Sequence, residues 1–195
     1  MGFIKTPIKG MNDFLPSDMR LREHVINMIK ETYATYGFSL IETPVMEHLG
    51  NLTGKQGGEN EKLIFPVMKR GADLQRAIEN GGELADSALR YDLTVPLSRY
   101  YANNQAVLTT PFKSLQIGNV FRADRPQKGR FRQFTQCDID ILGDSSILAE
   151  IELIAATTSM LTKIFEEVGI SRFTVHVNDR RILKGMAKSA GFDEE

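Results

Sequence analysis

The stretch FRADRPQKGRFRQFTQCDIDILG, from Phe121 to Gly143, decides the fold because a basic turn runs directly into a patterned strand. From Arg122 to Arg132 it carries five basic side chains and one acidic one, although the net charge of the whole chain is only -1. Polar and apolar residues then alternate, with Phe134, Gln136, Asp138 and Asp140 on one parity and Cys137, Ile139 and Ile141 on the other. A period of two predicts a strand with one polar face, joined to a preceding strand by the basic turn.

The bulk composition is that of a soluble globular protein. A length of 195 residues suits one domain with its own core, and 42% of the residues are hydrophobic. The 24 basic and 25 acidic residues exclude a bulk affinity for nucleic acid, so any such contact must come from a local patch. One cysteine excludes an internal disulfide and predicts a reducing, cytoplasmic location. No apolar run is long enough to predict contact with a membrane.

Apolar positions that recur with the helical period predict two long helices. The first lies between a capping Ser17 and a terminating Gly37, and the second covers 147–168. A strand over 38–46 is interrupted by Pro44, which cannot donate to a ladder. The other predicted elements are strands near 64–68, 114–122, 131–142 and 173–177, a helix over 96–102, a polar loop over 51–62, an undecided segment over 71–88 and a last helix capped by Asn178 or Asp179. This order predicts an α+β fold with a mainly antiparallel sheet flanked by helices.

The residues of the opening stretch allow two interpretations. A charged run is usually a solvated hairpin tip, and that reading stays open. Against it, arginine outnumbers lysine in the turn, and a guanidinium offers a planar fork for phosphate or carboxylate. Gln136 and Asp140 also share one face of the following strand, which suits a polar ligand. No P-loop, nucleophile motif or metal-ligand spacing occurs, and Cys137 is expected to be a small buried residue.

Three segments of the chain resemble known motifs in their known order. FRADRPQKGRFRQFTQCDIDILG resembles the motif 2 hairpin of class II aminoacyl-tRNA synthetases, in the form found in the histidyl-tRNA synthetase family. ALRYDLTVPLSRYYANN resembles that family's histidine-binding loop, and IKGMNDFLPSDMRLREHVINMIKETYATYGFSLIETPVMEHL resembles its amino-terminal start and motif 1. The resemblance places motif 1 at about 8–48, the histidine loop at about 88–104 and motif 2 at about 112–143.

The resemblance implies a class II synthetase fold, an antiparallel sheet flanked by helices, that forms a homodimer through motif 1. It also implies a reaction in which histidine and ATP, with Mg²⁺, give histidyl-adenylate and pyrophosphate. The histidine then passes to the 3′ end of tRNA(His). The expected partners are therefore histidine, ATP, tRNA(His) and a second copy of the chain.

The same resemblance assigns individual residues. The implied histidine-binding set is Asp92, Leu93, Thr94, Arg122, Gln136 and Asp140. Within it, Asp92, Thr94 and Gln136 would hold the α-amino group, and Asp140 would accept a hydrogen bond from the imidazole. Arg122 would be catalytic, gripping the α-phosphate of ATP beside the histidine carboxylate, and Arg130 would reach towards the outer phosphates. No metal ligand is assigned. Some family members carry Glu at positions 92 and 140, so the Asp residues here shorten the reach and keep the charge.

Further motifs of the family do not occur in these residues. Its second catalytic arginine, its motif 3 and its anticodon-binding domain all follow the region that residues 1–195 resemble. We therefore expect the chain to be the front half of a catalytic domain and to be inactive by itself. A second reading is the related regulatory subunit of ATP phosphoribosyltransferase, which binds histidine without charging tRNA. Intact Arg122, Arg130 and Gln136 favour the synthetase, because a regulator has less need of a phosphate clamp.

Overall fold

A computed structural model describes residues 2–53 and 60–192. The helices of this part are α1 (Pro16–Thr35), α2 (Leu49–Leu52), α3 (Gly71–Glu79), α4 (Thr94–Asn104), α5 (Ile147–Glu167) and α6 (Arg180–Ser189). The strands are β1 (Ser39–Ile41), β2 (Met46–His48), β3 (Phe65–Met68), β4 (Ala85–Leu89), β5 (Phe112–Phe121) and β6 (Gln133–Leu142). Residues 54–59 of the predicted loop lie outside the described part.

Two three-stranded sheets organise these elements. The first has the order β1-β5-β6 and the second the order β2-β4-β3. The pairings are antiparallel except between β1 and β5, which run parallel. The α+β prediction with a mainly antiparallel sheet is therefore confirmed. Pro44 divides the predicted strand 38–46 into β1 and β2, which belong to different sheets.

The hydrophobic core lies between the first sheet and the two long helices. Its centre consists of Tyr33, Phe38, Leu115 and Ala156, with the apolar side chains of β6 and further residues of α1 and α5 packed around it. Tyr33 and Phe38 meet edge to face with ring centroids 5.8 Å apart. Since α1 and α5 cover this face of the sheet, the opposite parity of β5 and β6 turns towards α4 and its preceding loop.

Some sequence predictions are wrong in detail. Residues 173–177 form no strand, because no neighbouring strand in the described residues pairs with them. Helix α1 begins at Pro16 rather than after Ser17, since proline suits the first helical position. Cys137 is exposed and not buried, because the helices that cover Ile139 and Ile141 on the same face of β6 leave its side chain open to solvent. The undecided segment resolves into α3 and β4 on either side of a glycine turn.

Candidate active site

The loop between β4 and α4 carries Asp92 and is fastened at both ends. Before it, the Tyr91 carbonyl accepts a hydrogen bond from Arg122 Nε at 3.2 Å. After it, the Leu93 carbonyl accepts from Gln116 Nε2 at 3.1 Å. One carboxylate oxygen of Asp92 accepts from Val95 N at 3.2 Å, in the manner of a helix cap. This leaves the second carboxylate oxygen available to a ligand.

Arg90 anchors the start of this loop. Its buried guanidinium donates to the Asn119 carbonyl at 2.8 Å and to the Thr43 carbonyl at 2.7 Å. The guanidinium lies close to β5 at Gly118, where an added Cβ would be 2.2 Å from Arg90 Nη2. Glycine is therefore required at position 118 by the close approach of the arginine and not by backbone strain.

The polar face predicted for β6 continues onto β5. The antiparallel register places Ser114 opposite Asp140, Gln116 opposite Asp138 and Gly118 opposite Gln136. Three buried atoms on this face have no hydrogen-bond partner in the described residues, namely Ser114 Oγ, Gln136 Oε1 and Asp140 Oδ2. Leaving a buried polar group unpaired costs roughly 1–3 kcal/mol, so three together indicate a surface that a polar ligand completes.

Negative charge is concentrated on the β6 part of this face. Gln136 Nε2 donates to Asp138 Oδ2 at 3.0 Å, whereas Asp140 makes no ion pair with any described residue. Burial raises the pKa of Asp140, and the neighbouring Asp138 carboxylate raises it further. Burial also raises the pKa of Asp138, with Asp92 adding to the rise while Gln136 and Arg122 oppose it. A cationic or hydrogen-bond-donating ligand would relieve this accumulation of carboxylates.

Arg122 lies at the junction of the polar face and the basic turn. Its guanidinium carbon is 4.8 Å from the centroid of the Tyr91 ring and 5.1 Å from that of Phe134. With Nε bonded to the Tyr91 carbonyl, the guanidinium is held in a defined plane and its remaining N–H groups can serve an anion. The site thus has a fixed cation next to a carboxylate-rich face.

A cavity of about 270 Å³ adjoins Arg122 on the side of the turn. Its lining is made by Arg122, Asp124, Gly129, Arg130, Phe131 and Phe134. Arg130 is exposed and lies 3.6 Å from the Asp124 carboxylate, a loose contact that another anion could replace. The described residues contain no group of three or more His, Cys, Asp or Glu side chains that could hold a metal ion.

The structure brings together four of the seven sequence-predicted site residues. These four are Asp92, Arg122, Gln136 and Asp140. Asp138 lies between Gln136 and Asp140 on one face of β6, and its pKa is raised by the nearby Asp92 carboxylate and lowered by the nearby Arg122 guanidinium. Leu93 has a buried side chain and offers only its backbone, while Thr94 is exposed at the first position of α4. Arg130 lies apart on the turn and borders the adjacent cavity.

Sequence reasoning missed five contributors to the site. Ser114 and Gln116 come from β5, and only the strand register reveals that they share the face of Asp140 and Asp138. Asp138 was recognised as part of the polar face of β6, but no role was predicted for it. The aromatic rings beside Arg122 could have been anticipated only for Phe134, which has the same parity as Gln136.

Comparisons with known proteins identify the class of protein to which this fold belongs. A sequence model of the family described as histidyl-tRNA synthetase matches residues 10–195. The histidine–tRNA ligase of Leifsonia xyli is 50% identical over 194 residues, covering 97% of this chain and 44% of the relative. The crystal structure of histidyl-tRNA synthetase from Nostoc sp. PCC 7120 superposes with a TM-score of 0.76 at 35% identity, covering 98% of this chain and 41% of that one.

The chain belongs to the histidyl-tRNA synthetase family. It spans less than half the length of the relatives that it matches. The crystal structure of an ATP phosphoribosyltransferase regulatory subunit/histidyl-tRNA synthetase from Bacillus halodurans has a TM-score of 0.67 at 23% identity, covering 83% of this chain and 38% of that one, which shows a shared fold. Among the described residues, no helix is both long and apolar enough to cross a membrane.

Proposed function

We propose that the full-length protein containing this chain is a histidine–tRNA ligase. It activates histidine with ATP to histidyl-adenylate and transfers the histidyl group to the 3′ end of tRNA(His). Support comes from membership of the family and from a polar face of β5 and β6 that adjoins a cavity bordered by Arg122 and Arg130.

Histidine binds to the polar face of β5 and β6. Its imidazole N–H donates to Asp140, whose Oδ2 is otherwise unpaired in a buried position. Its α-amino group, a cation, is held by Asp92 and by the free oxygen of Gln136, with Thr94 at the start of α4 and the Leu93 backbone beside them. Rejection of apolar amino acids follows, because such a side chain would leave Asp140 and Gln136 buried without partners.

ATP binds on the other side of Arg122. The guanidinium holds the α-phosphate beside the histidine carboxylate, and Arg130 holds the outer phosphates from the turn. Two anions must meet when the carboxylate attacks the α-phosphate, so a fixed cation at that point lowers the barrier. Mg²⁺ would be held mainly through the nucleotide phosphates and would offset their negative charge.

The observation that carries this proposal is the position of Arg122, clamped between two rings where the carboxylate-rich face meets the basic turn. Histidine-dependent exchange of pyrophosphate into ATP by the full-length protein tests it directly. We expect exchange with histidine and none above background with phenylalanine. A full-length protein that binds histidine but supports no exchange would contradict the ligase assignment.

A histidine-binding regulator of ATP phosphoribosyltransferase is the second candidate, because the amino-acid half of the site would serve it equally well. The cavity bordered by Arg122 and Arg130 favours the ligase, since a regulator needs no site for the phosphates of ATP. Charging of tRNA(His) by the full-length protein separates the two functions. The residue 1–195 chain alone is expected to show no pyrophosphate exchange in either case.

The proposed assembly is a cytoplasmic homodimer formed through motif 1. The segment around Pro44 is exposed and apolar, with Val45 and Met46 open to solvent beside the strand end. Burial of such a patch by a second copy is a common basis of two-fold association. Sedimentation of the full-length protein should give the mass of a dimer, and a monomer at high micromolar concentration would contradict this part of the proposal.

A further inference from the structure

Beneath the Asp92 loop lies a buried chain of hydrogen bonds that the proposed catalytic roles do not use. Arg90 Nη1 donates to Thr43 Oγ1 at 3.3 Å, and Thr43 Oγ1 donates to Gln116 Oε1 at 3.3 Å. Gln116 Nε2 then donates to the Leu93 carbonyl at 3.1 Å. Arg90, Thr43 and Gln116 are 4%, 3% and 2% exposed, so water cannot substitute for any of these bonds.

The direction of each hydrogen bond in this chain fixes the orientation of the Gln116 side-chain amide. The Thr43 hydroxyl has one proton, and its use on Gln116 Oε1 fixes which end of the Gln116 amide carries the NH₂ group. Gln116 must then present its donor to the Leu93 carbonyl. The backbone is thus held on both sides of Asp92. Gln116 binds the carbonyl of the following residue, Leu93, and Arg122 binds the carbonyl of the preceding residue, Tyr91.

We propose that Gln116 and Thr43 are positioning residues, which fix the loop so that Asp92 meets the α-amino group of histidine. Neither side chain touches the ligand, because Gln116 is covered by the loop and Thr43 lies behind Gln116. Their effect reaches the substrate only through Leu93 and Asp92. The inference rests on the proposed histidine site, and it adds residues that the binding set does not contain.

Loss of the positioning residues should weaken binding of the α-amino end of histidine and not of its imidazole end. Loss of the Gln116 amide would let the Asp92 loop shift, while the imidazole end, held by β6, would be unaffected. Imidazolepropionate, which is histidine without its α-amino group, should therefore bind equally well to altered and unaltered protein. A general loss of stability would not distinguish between the two ligands.

The experiment is calorimetric titration of both ligands into the full-length protein and its Gln116→Met variant. Methionine keeps the volume and removes the amide, so we expect histidine affinity to fall roughly five- to tenfold, the usual effect of one lost buried hydrogen bond, and imidazolepropionate affinity to stay within about twofold. Thr43→Val, which keeps the side-chain shape, is a milder variant if Gln116→Met does not fold. It should lower histidine affinity in the same selective way, and combining it with Gln116→Met should add little.

Thr32→Val is the matched control. The Thr32 hydroxyl is equally buried but donates to the Met28 carbonyl within α1, far from the loop, so its loss should affect stability and neither affinity. Equal loss of both ligands, or unchanged histidine affinity, in folded Gln116→Met and Thr43→Val proteins would overturn the positioning role. Absence of histidine binding by the unaltered protein would instead refute the proposed function itself.

Discussion

Strands β5 and β6 are paired and contribute to the same face of the site, but their polar side chains differ in how completely they are hydrogen-bonded. On β5, Gln116 is fully buried and has partners at both ends of its amide. On β6, Gln136 and Asp140 are only half-buried, and each keeps a buried oxygen without a partner. The difference supports the proposed roles, in which β5 holds the loop in place and β6 receives the ligand.

Ser114 is the exception on β5, since its buried hydroxyl is unpaired. It lies opposite Asp140 in the ladder, and side chains of directly opposed residues are about 5 Å apart at Cβ. The unpaired atom thus belongs to the neighbourhood of the ligand-receiving strand. The boundary between the two regions runs between Ser114 and Gln116.

The largest effect should come from Arg122, where the two regions meet the basic turn. Arg122→Ala in the full-length protein should lower the rate of histidyl-adenylate formation on the order of a hundredfold or more, because a preorganised cation is lost from the transition state. Histidine affinity should change much less, and Arg122→Lys should restore only part of the rate. Single-turnover kinetics provide the measurement.

Arg125→Ala is the control for Arg122, since Arg125 is an exposed arginine of the same turn with no assigned role. A near-normal adenylation rate in Arg122→Ala, or an equal loss in Arg125→Ala, would remove the specific phosphate role.

The substitution Gly118→Ala, within β5, should lower the stability of the chain. Gly118→Ala would place a methyl group 2.2 Å from Arg90 Nη2, which must then move and break its bonds to the Asn119 and Thr43 carbonyls. Overpacking of this kind typically costs about 1–3 kcal/mol in the free energy of unfolding. Denaturant titration of the chain measures it.

Gly50→Ala is the corresponding control, because a Cβ at Gly50 meets no atom within 4 Å. Gly118→Ala with the stability of Gly50→Ala would show that the Arg90 clamp is not tight.

A smaller effect, of opposite sign, is expected on β6. Because the pKa of Asp140 is raised in the folded chain, its contribution to stability is present below the unfolded pKa of about 4 and is lost as the pH rises through the folded value. Asp140→Asn removes the charge, so the variant should be more stable than the unaltered chain at neutral pH. The difference should shrink as the pH falls towards 4. Denaturant midpoints across this range test the sign, and a less stable variant at pH 7 would show that the Asp140 charge is satisfied.

The β6 part of the candidate site and the two long helices could be predicted from the sequence. Gln136 and Asp140 are four residues apart on one strand, so their common face follows from the period of two. The long helices followed from their apolar spacing. Both are local properties of the chain.

What could not be predicted depends on contacts between distant residues. Thr43 and Gln116 are 73 positions apart, and Arg90 and Thr43 are 47 apart, so no local pattern joins them. Ser114 faces Asp140 only because of the register that the turn imposes. Residues 173–177 alternate between apolar and polar side chains as a strand would, but they lack a partner in the described residues, which composition cannot reveal.

The claim that the open face of β6 receives the histidine ring is tested most directly by titrating histidine into the full-length protein and its Asp140→Ala variant. We expect the unaltered protein to bind and the variant to lose about 1–3 kcal/mol of binding free energy, since the imidazole N–H would be left buried without an acceptor. Asp144→Ala, at an exposed aspartate just past the end of β6, should bind normally. Unchanged histidine affinity in a folded Asp140→Ala protein would contradict the assignment of this face.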